Sequence, residues 1–157
     1  MIDPITQYLL EMKTPSIVYH GSNALYKTLE PRPNDNIYIK HGLFASIYKA
    51  QAAIYMLSQF WKNSDVSRYG SLKKGKWIWE FTELNPNAFE TVRHNKPGYM
   101  YELSGKTFDG PIYEAPGEIA EGERVSHESL KPLKVTKVND VIKYLKSNGA
   151  LFHKYKK

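Results

Sequence analysis

Apolar positions recur at helical spacing in the first third of this chain and at strand spacing in much of the rest. Asp3 before Pro4 is a capping residue followed by a proline at a first helical position, and Ile5, Tyr8, Leu9 and Met12 fall on one face behind it. The pattern predicts an N-terminal helix within 1–16. A short apolar run, Ile17-Val18-Tyr19, then ends at His20-Gly21 and reads as a buried strand emerging at a polar end. Two prolines and several turn residues make 29–36 a loop. An extended stretch over 37–46, broken by His41-Gly42, leads into Ile47, Ala50, Ile54, Leu57 and Trp61, whose spacing predicts a buried helical face. Tyr48 and Tyr55 lie on a stripe beside it.

Beyond Gly70 the period changes to two. Trp77, Trp79 and Phe81 share one face of a predicted strand, with Ile78, Glu80 and Thr82 on the other. Tyr99, Tyr101 and Leu103 alternate with Met100 and Glu102 in a second strand, and 133–138 reads as a third. Over 140–146, Asp-Val-Ile-Lys-Tyr-Leu-Lys is a short helix stopped by Asn148-Gly149. Early helices, later short strands and no regular strand–helix–strand alternation predict a mixed α+β domain with peripheral helices. Without an internal repeat, low-complexity tract or linker, the expectation is one domain over 1–157, with a C-terminal helix and basic tail in 139–157.

Composition narrows the chemistry. A chain of 157 residues buries ~68–70% of its unfolded surface and needs no metal or disulfide staple. Cysteine is absent, which removes thiol nucleophiles and thiolate metal sites and fits a reducing, cytoplasmic setting. The sequence predicts no secretion signal and no membrane span. The net charge of +6 comes from 22 Lys and Arg against 16 Asp and Glu, concentrated at Lys73-Lys74-Gly75-Lys76 and Lys154-Tyr155-Lys156-Lys157. Such a surface favours polyanions, although a solvated loop and tail explain it more simply. His41, His94, His127 and His153 lack metal-ligand spacing, so no metal is expected. Phosphate-binding glycine loops and a nucleophile elbow are also missing.

Three segments remain: Tyr19-His20-Gly21-Ser22; Gly42-Leu43-Phe44-Ala45-Ser46 with its Tyr-bearing helix; and Gly122-Glu123-Arg124-Val125-Ser126. In order and spacing they resemble the ADP-ribosyltransferases of the diphtheria-toxin and poly(ADP-ribose) polymerase type, over roughly 17–138. The resemblance implies a split β-sheet core around an NAD cleft. It implies that His20 hydrogen-bonds the adenosine-ribose hydroxyl and that Gly21 pairs its backbone with the nicotinamide carboxamide. Tyr55 would stack on the nicotinamide ring, with Phe44 and Tyr48 beside the ligand, and Ser22 or Ser46 would supply a hydroxyl. Glu123 would grip the nicotinamide ribose and stabilise the oxocarbenium-like centre left as nicotinamide departs. Glu118, Glu121 and Glu128 compete for that role.

The chain departs from the family pattern at Leu43, where the polymerases carry a tyrosine that sandwiches nicotinamide; Tyr48, Tyr55 and Tyr38 are the candidates to replace it. The expected activity is mono-ADP-ribosylation of a macromolecular acceptor, protein in preference to nucleic acid, by a small bacterial or phage enzyme using NAD as substrate. The competing expectation is a catalytically inactive binding module of the same fold, with a role like that of a phage-encoded inhibitor.

Overall fold

A computed structural model describes residues 3–4, 14–34, 36, 38–57, 65–92 and 97–157. The chain divides into two compact units, each discontinuous in sequence. The first comprises Met1–His20, Tyr26–Ile47 and Tyr101–Lys134; the second comprises Gly21–Leu25, Tyr48–Met100 and Val135–Lys157. The architecture is mixed α and β.

In the first unit, the apolar run at 17–19 opens strand β1 (Ile17–Ser22), with Val18 fully buried. After the short β2 (Arg32–Pro33) comes β3 (His41–Ser46). Tyr19 of β1 pairs antiparallel with Ser46 of β3. Strand β9 (Glu123–Ser126) runs antiparallel to β3 from Leu43 opposite Ser126 to Ser46 opposite Glu123. Because Ser46 pairs with both Tyr19 and Glu123, β1 and β9 occupy opposite edges of β3. A small hairpin, β7 (Ile112–Ala115) with β8 (Glu118–Ala120), contributes Ile112 and Ala120 to a core that includes Val125, and Ile39 and Phe44 pack against it.

Within the expected loop at 29–36, Leu29, Arg32, Pro33 and Asn36 are tied to neighbouring segments. Leu29 is buried and exchanges two backbone hydrogen bonds with Leu130, of 2.8 and 2.9 Å. Arg32 and Pro33 extend the ladder at Gly42 and His41, and Asn36 Nδ2 donates to the Tyr113 carbonyl at 3.0 Å.

The second unit is built on β4 (Val66–Lys73) and β5 (Lys76–Glu83), a hairpin closed by Lys74 and Gly75, both at positive φ. Two consecutive left-handed residues suit the right-handed twist of the flanking strands. The alternation anticipated for β5 is present: Trp79 and Phe81 are buried on one face. Helix α1 (Lys49–Ala53) passes into a 3-10 turn, Ile54–Met56, and buries Ala52, Ala53, Ile54, Met56 and Leu57. Of the expected face Ile54 and Leu57 are buried, Ile47 and Ala50 are half-buried, and Trp61 lies outside the described residues. Trp79 Nε1 donates to the Ala50 carbonyl at 2.8 Å, fixing α1 on the hairpin.

A second helix, α2 (Ala88–Val92), precedes β6 (Gly98–Ser104), which runs from the second unit into the first. Met100, Tyr101 and Leu103 of β6 are all fully buried, so the expected one-sided alternation there gives way to burial on both faces. Strand β10 (Lys134–Val138) lies beside β6. Helix α3 (Val141–Ser147) is capped by Asp140, whose Oδ1 accepts the Lys143 N–H at 3.0 Å, and stops at Gly149 with φ +90°. The helix expected in 139–157 is α3, and between it and the tail lies an unexpected strand, β11 (Leu151–His153), which pairs parallel to β5. Its Phe152 ring lies 4.9 Å from Phe81 and 5.3 Å from Phe89, closing the unit's aromatic core. Residues 5–13 of the expected N-terminal helix lie outside the described residues, and 14–16 are irregular.

Candidate active site

Tyr19 and His20 of the first segment, 42–46 of the second and 123–126 of the third meet in the first unit on neighbouring strands, β1, β3 and β9. His20 is half-buried, and its Nδ1 lies 2.7 Å from the Phe44 carbonyl oxygen. A carbonyl only accepts, so Nδ1 carries the proton and Nε2 keeps its lone pair. Burial lowers the histidine's pKa from its ordinary 6.5, the Phe44 hydrogen bond partly opposes this, and the Arg32 charge adds to the lowering. A neutral imidazole with Nε2 as acceptor is the species present at neutral pH.

The walls of this position come from residues remote in sequence. The fully buried Tyr101 ring lies 5.9 Å from His20, tilted by 58°. Its hydroxyl accepts the Tyr26 N–H at 2.7 Å. Arg32 Nη1 donates to the Tyr26 hydroxyl at 3.0 Å, and its guanidinium carbon sits 4.5 Å from that ring's centre. Tyr101 and Arg32 escaped the sequence reading, since one reads as strand core and the other as a loop cation. Only the fold brings them to His20.

Strand β3 explains its own glycine. A Cβ on Gly42 would lie 2.5 Å from Val125 Cγ2, so β9 packs too closely there for any side chain. Phe44, expected beside the ligand, instead packs against Ile112, Ala120 and Val125. Ser46 is buried between Tyr19 and Glu123. Glu123 heads β9 as expected and is half-buried.

Register decides which of these side chains face together. Residues directly opposite in an antiparallel ladder share a face, and successive residues alternate. Tyr19, Ser46 and Glu123 therefore form one row, and the next row turns His20, Ala45 and Arg124 to the other face. Arg124 is fully buried; its Nη1 donates to the Glu123 carbonyl at 2.9 Å and its Nε to Thr14 Oγ1 at 3.2 Å. Ser126, also fully buried, bonds Thr107 Oγ1 at 2.8 Å.

The remaining expected ligand contacts belong to the second unit. A Cβ on Gly21 would fall 2.1 Å from the Ala52 carbonyl oxygen, so the absence of a side chain there serves the approach of α1. Ser22 Oγ accepts the Ala24 N–H at 3.1 Å in a local turn. Tyr48 precedes α1 and stacks on Trp77 at 6.1 Å. Tyr55, on the 3-10 turn, is 42% exposed. Among the described residues no cluster of three or more His, Asp or Glu is arranged to hold a metal ion, and no helix is long and apolar enough to cross a membrane. Comparison with protein-family models, with curated proteins and with solved structures gives no match.

Proposed function

We propose that this chain is a mono-ADP-ribosyltransferase that moves ADP-ribose from NAD to a macromolecular acceptor, a protein by preference, and releases nicotinamide. The observation that carries the reading is the adjacency of β1, β3 and β9: three segments separated by up to about a hundred residues, chosen for their resemblance to one enzyme family, are hydrogen-bonded neighbours. His20 supports it further. Held by the Phe44 carbonyl with Nε2 as acceptor, it suits a ribose hydroxyl as donor. Glu123 would act from the head of β9, stabilising positive charge on the ribose as the glycosidic bond breaks.

A second reading is favoured by two observations. The ladder turns Glu123 and His20 to opposite faces, and Leu43 is buried where the family has its tyrosine. A fold that binds a nucleotide or a partner without turning NAD over fits that arrangement.

The deciding experiment incubates the protein with NAD labelled in its adenylate half, with and without cell lysate, and follows released nicotinamide and macromolecule-bound label, with Glu123→Gln in parallel. Label transfer that depends on Glu123 supports the transferase. Binding of NAD or a partner with no nicotinamide release, unchanged in Glu123→Gln, supports the second reading; absence of both turnover and NAD binding removes the enzyme.

A further inference from the structure

The positive charge of the molecule is confined to one unit. Fourteen of the 22 Lys and Arg but five of the 16 Asp and Glu fall in the second unit, an excess of nine; the first, with eight and eleven, is three negative. Within the second unit the β4–β5–β11 sheet has an inner face of Trp77, Trp79, Phe81 and Phe152 and an outer face that presents Tyr69 and Leu151 to solvent, 65% and 45% exposed. Tyr69, Glu80 and Leu151 form a row across the three strands. At the hairpin end of the same face Lys73 lies opposite Lys76, with Lys74 in the turn between them. Lys73 Nζ is 3.8 Å from Glu80 Oε1, which offsets the acidic group of that row.

We propose that this outer sheet face binds single-stranded nucleic acid, independently of whether NAD is turned over. The lysines contact phosphates, and the Tyr69 ring takes a base. Tyr69 and Lys73 are four residues apart on one face, about 13 Å along the strand, a distance spanned by a few nucleotides. An exposed aromatic ring beside clustered lysines on an open sheet combines the two requirements of single-strand binding, a stacking platform and a cationic track. A duplex meets only one of them, because its base faces are already stacked. The tryptophans that follow the lysines in sequence have no part in this, since they form the inner face.

The test is fluorescence anisotropy of the full chain with labelled oligo-U and oligo-dT of about 16 nucleotides, a duplex of equal length and an acidic peptide, at about 50 and 200 mM salt. Single strands are expected to bind more tightly than the duplex. Tyr69→Ala should weaken single-strand binding about 5- to 100-fold and Tyr69→Phe should not. Replacing Lys73, Lys74 and Lys76 by Ala should flatten the salt slope by about two. All four positions are on the surface, and circular dichroism checks each variant's fold. Equal binding of duplex and single strand with indifference to Tyr69, preference for the acidic peptide, or no oligonucleotide binding at the lower salt would each overturn the proposal.

Discussion

His20 and Glu123 flank the same strand yet face opposite ways. Ser46 of β3 pairs with Tyr19 on one edge and with Glu123 on the other, so Glu123 shares a face with Tyr19, while His20, one residue on, turns with Arg124 to the reverse side. If Glu123 acts on a ribose, it does so from the start of β9, where the chain turns through Gly122, and not across the face that His20 occupies.

This makes Glu123→Gln the most informative functional variant. The transferase reading expects label transfer to fall about 100-fold or more, with NAD affinity held within about threefold, measured by single-turnover labelling and calorimetry. Unchanged transfer would remove Glu123 from the chemistry.

His20 should reveal itself in stability as well as in binding. Its Nδ1 hydrogen bond to the Phe44 carbonyl contributes about 1 kcal/mol, which His20→Ala removes and His20→Asn, with an amide donor near the same position, largely keeps. The folded-state pKa lies below 6.5, so the unfolded chain binds more protons between the two values. His20's contribution is complete above 6.5 and declines as the pH falls toward the depressed value. Chemical denaturation at stepped pH should show this decline in the wild type and lose that component in His20→Asn.

Gly21→Ala is expected to destabilise the chain by about 1–3 kcal/mol, because its Cβ would meet a backbone oxygen, Ala52 O, and not a movable side chain. Thermal unfolding measures this. Reduced NAD binding in that variant reports on α1 before it reports on the ligand.

Glu83 should set the acid limit of the second unit. Burial alone would raise its pKa, but the Phe89 and Tyr155 N–H groups and the Lys154 charge outweigh burial and hold it below the ordinary carboxylate value of 4.5. Its Oε2 accepts the Phe89 N–H at 3.0 Å and its Oε1 the Tyr155 N–H at 3.1 Å, tying the segment after β11 to the end of β5. The stability it confers is present above 4.5 and is lost as pH falls through the lowered value. Glu83→Gln should reduce stability at neutral pH, flatten the acid transition and speed proteolytic removal of the residues after His153, followed by mass spectrometry.

Local signals were legible in the sequence where side chain and backbone agree. Asp140 caps α3 and Gly149 ends it, and the period of two in β5 turns Trp79 and Phe81 inward. Segment adjacency was legible too, since resemblance alone grouped β1, β3 and β9. Facing was not. A one-residue change of register exchanges the two faces of a strand, and register is fixed by tertiary pairing that spacing along the chain does not encode. This is why Phe44 reads as a ligand contact yet packs in a core, and why His20 and Glu123, both assigned to one NAD cleft by resemblance, lie on opposite faces of the ladder. Strand β11 was hidden for another reason: three residues, Leu-Phe-His, acquire their strand state only by pairing with β5.

The interleaving of the two units bears on how the protein is made and dissected. The chain passes from one unit to the other after residues 20, 25, 47, 100 and 134, three times within a continuous strand, β1, β6 and β10. No single cut yields either unit as one uninterrupted fragment, so expressing half of the gene would test neither. On the ribosome the first unit lacks β9 until residue 126 has emerged, and the second lacks β11 until residue 153. Both cores must then close over long loops, a topology that favours slow folding largely after synthesis and gives deletions in one unit effects in the other.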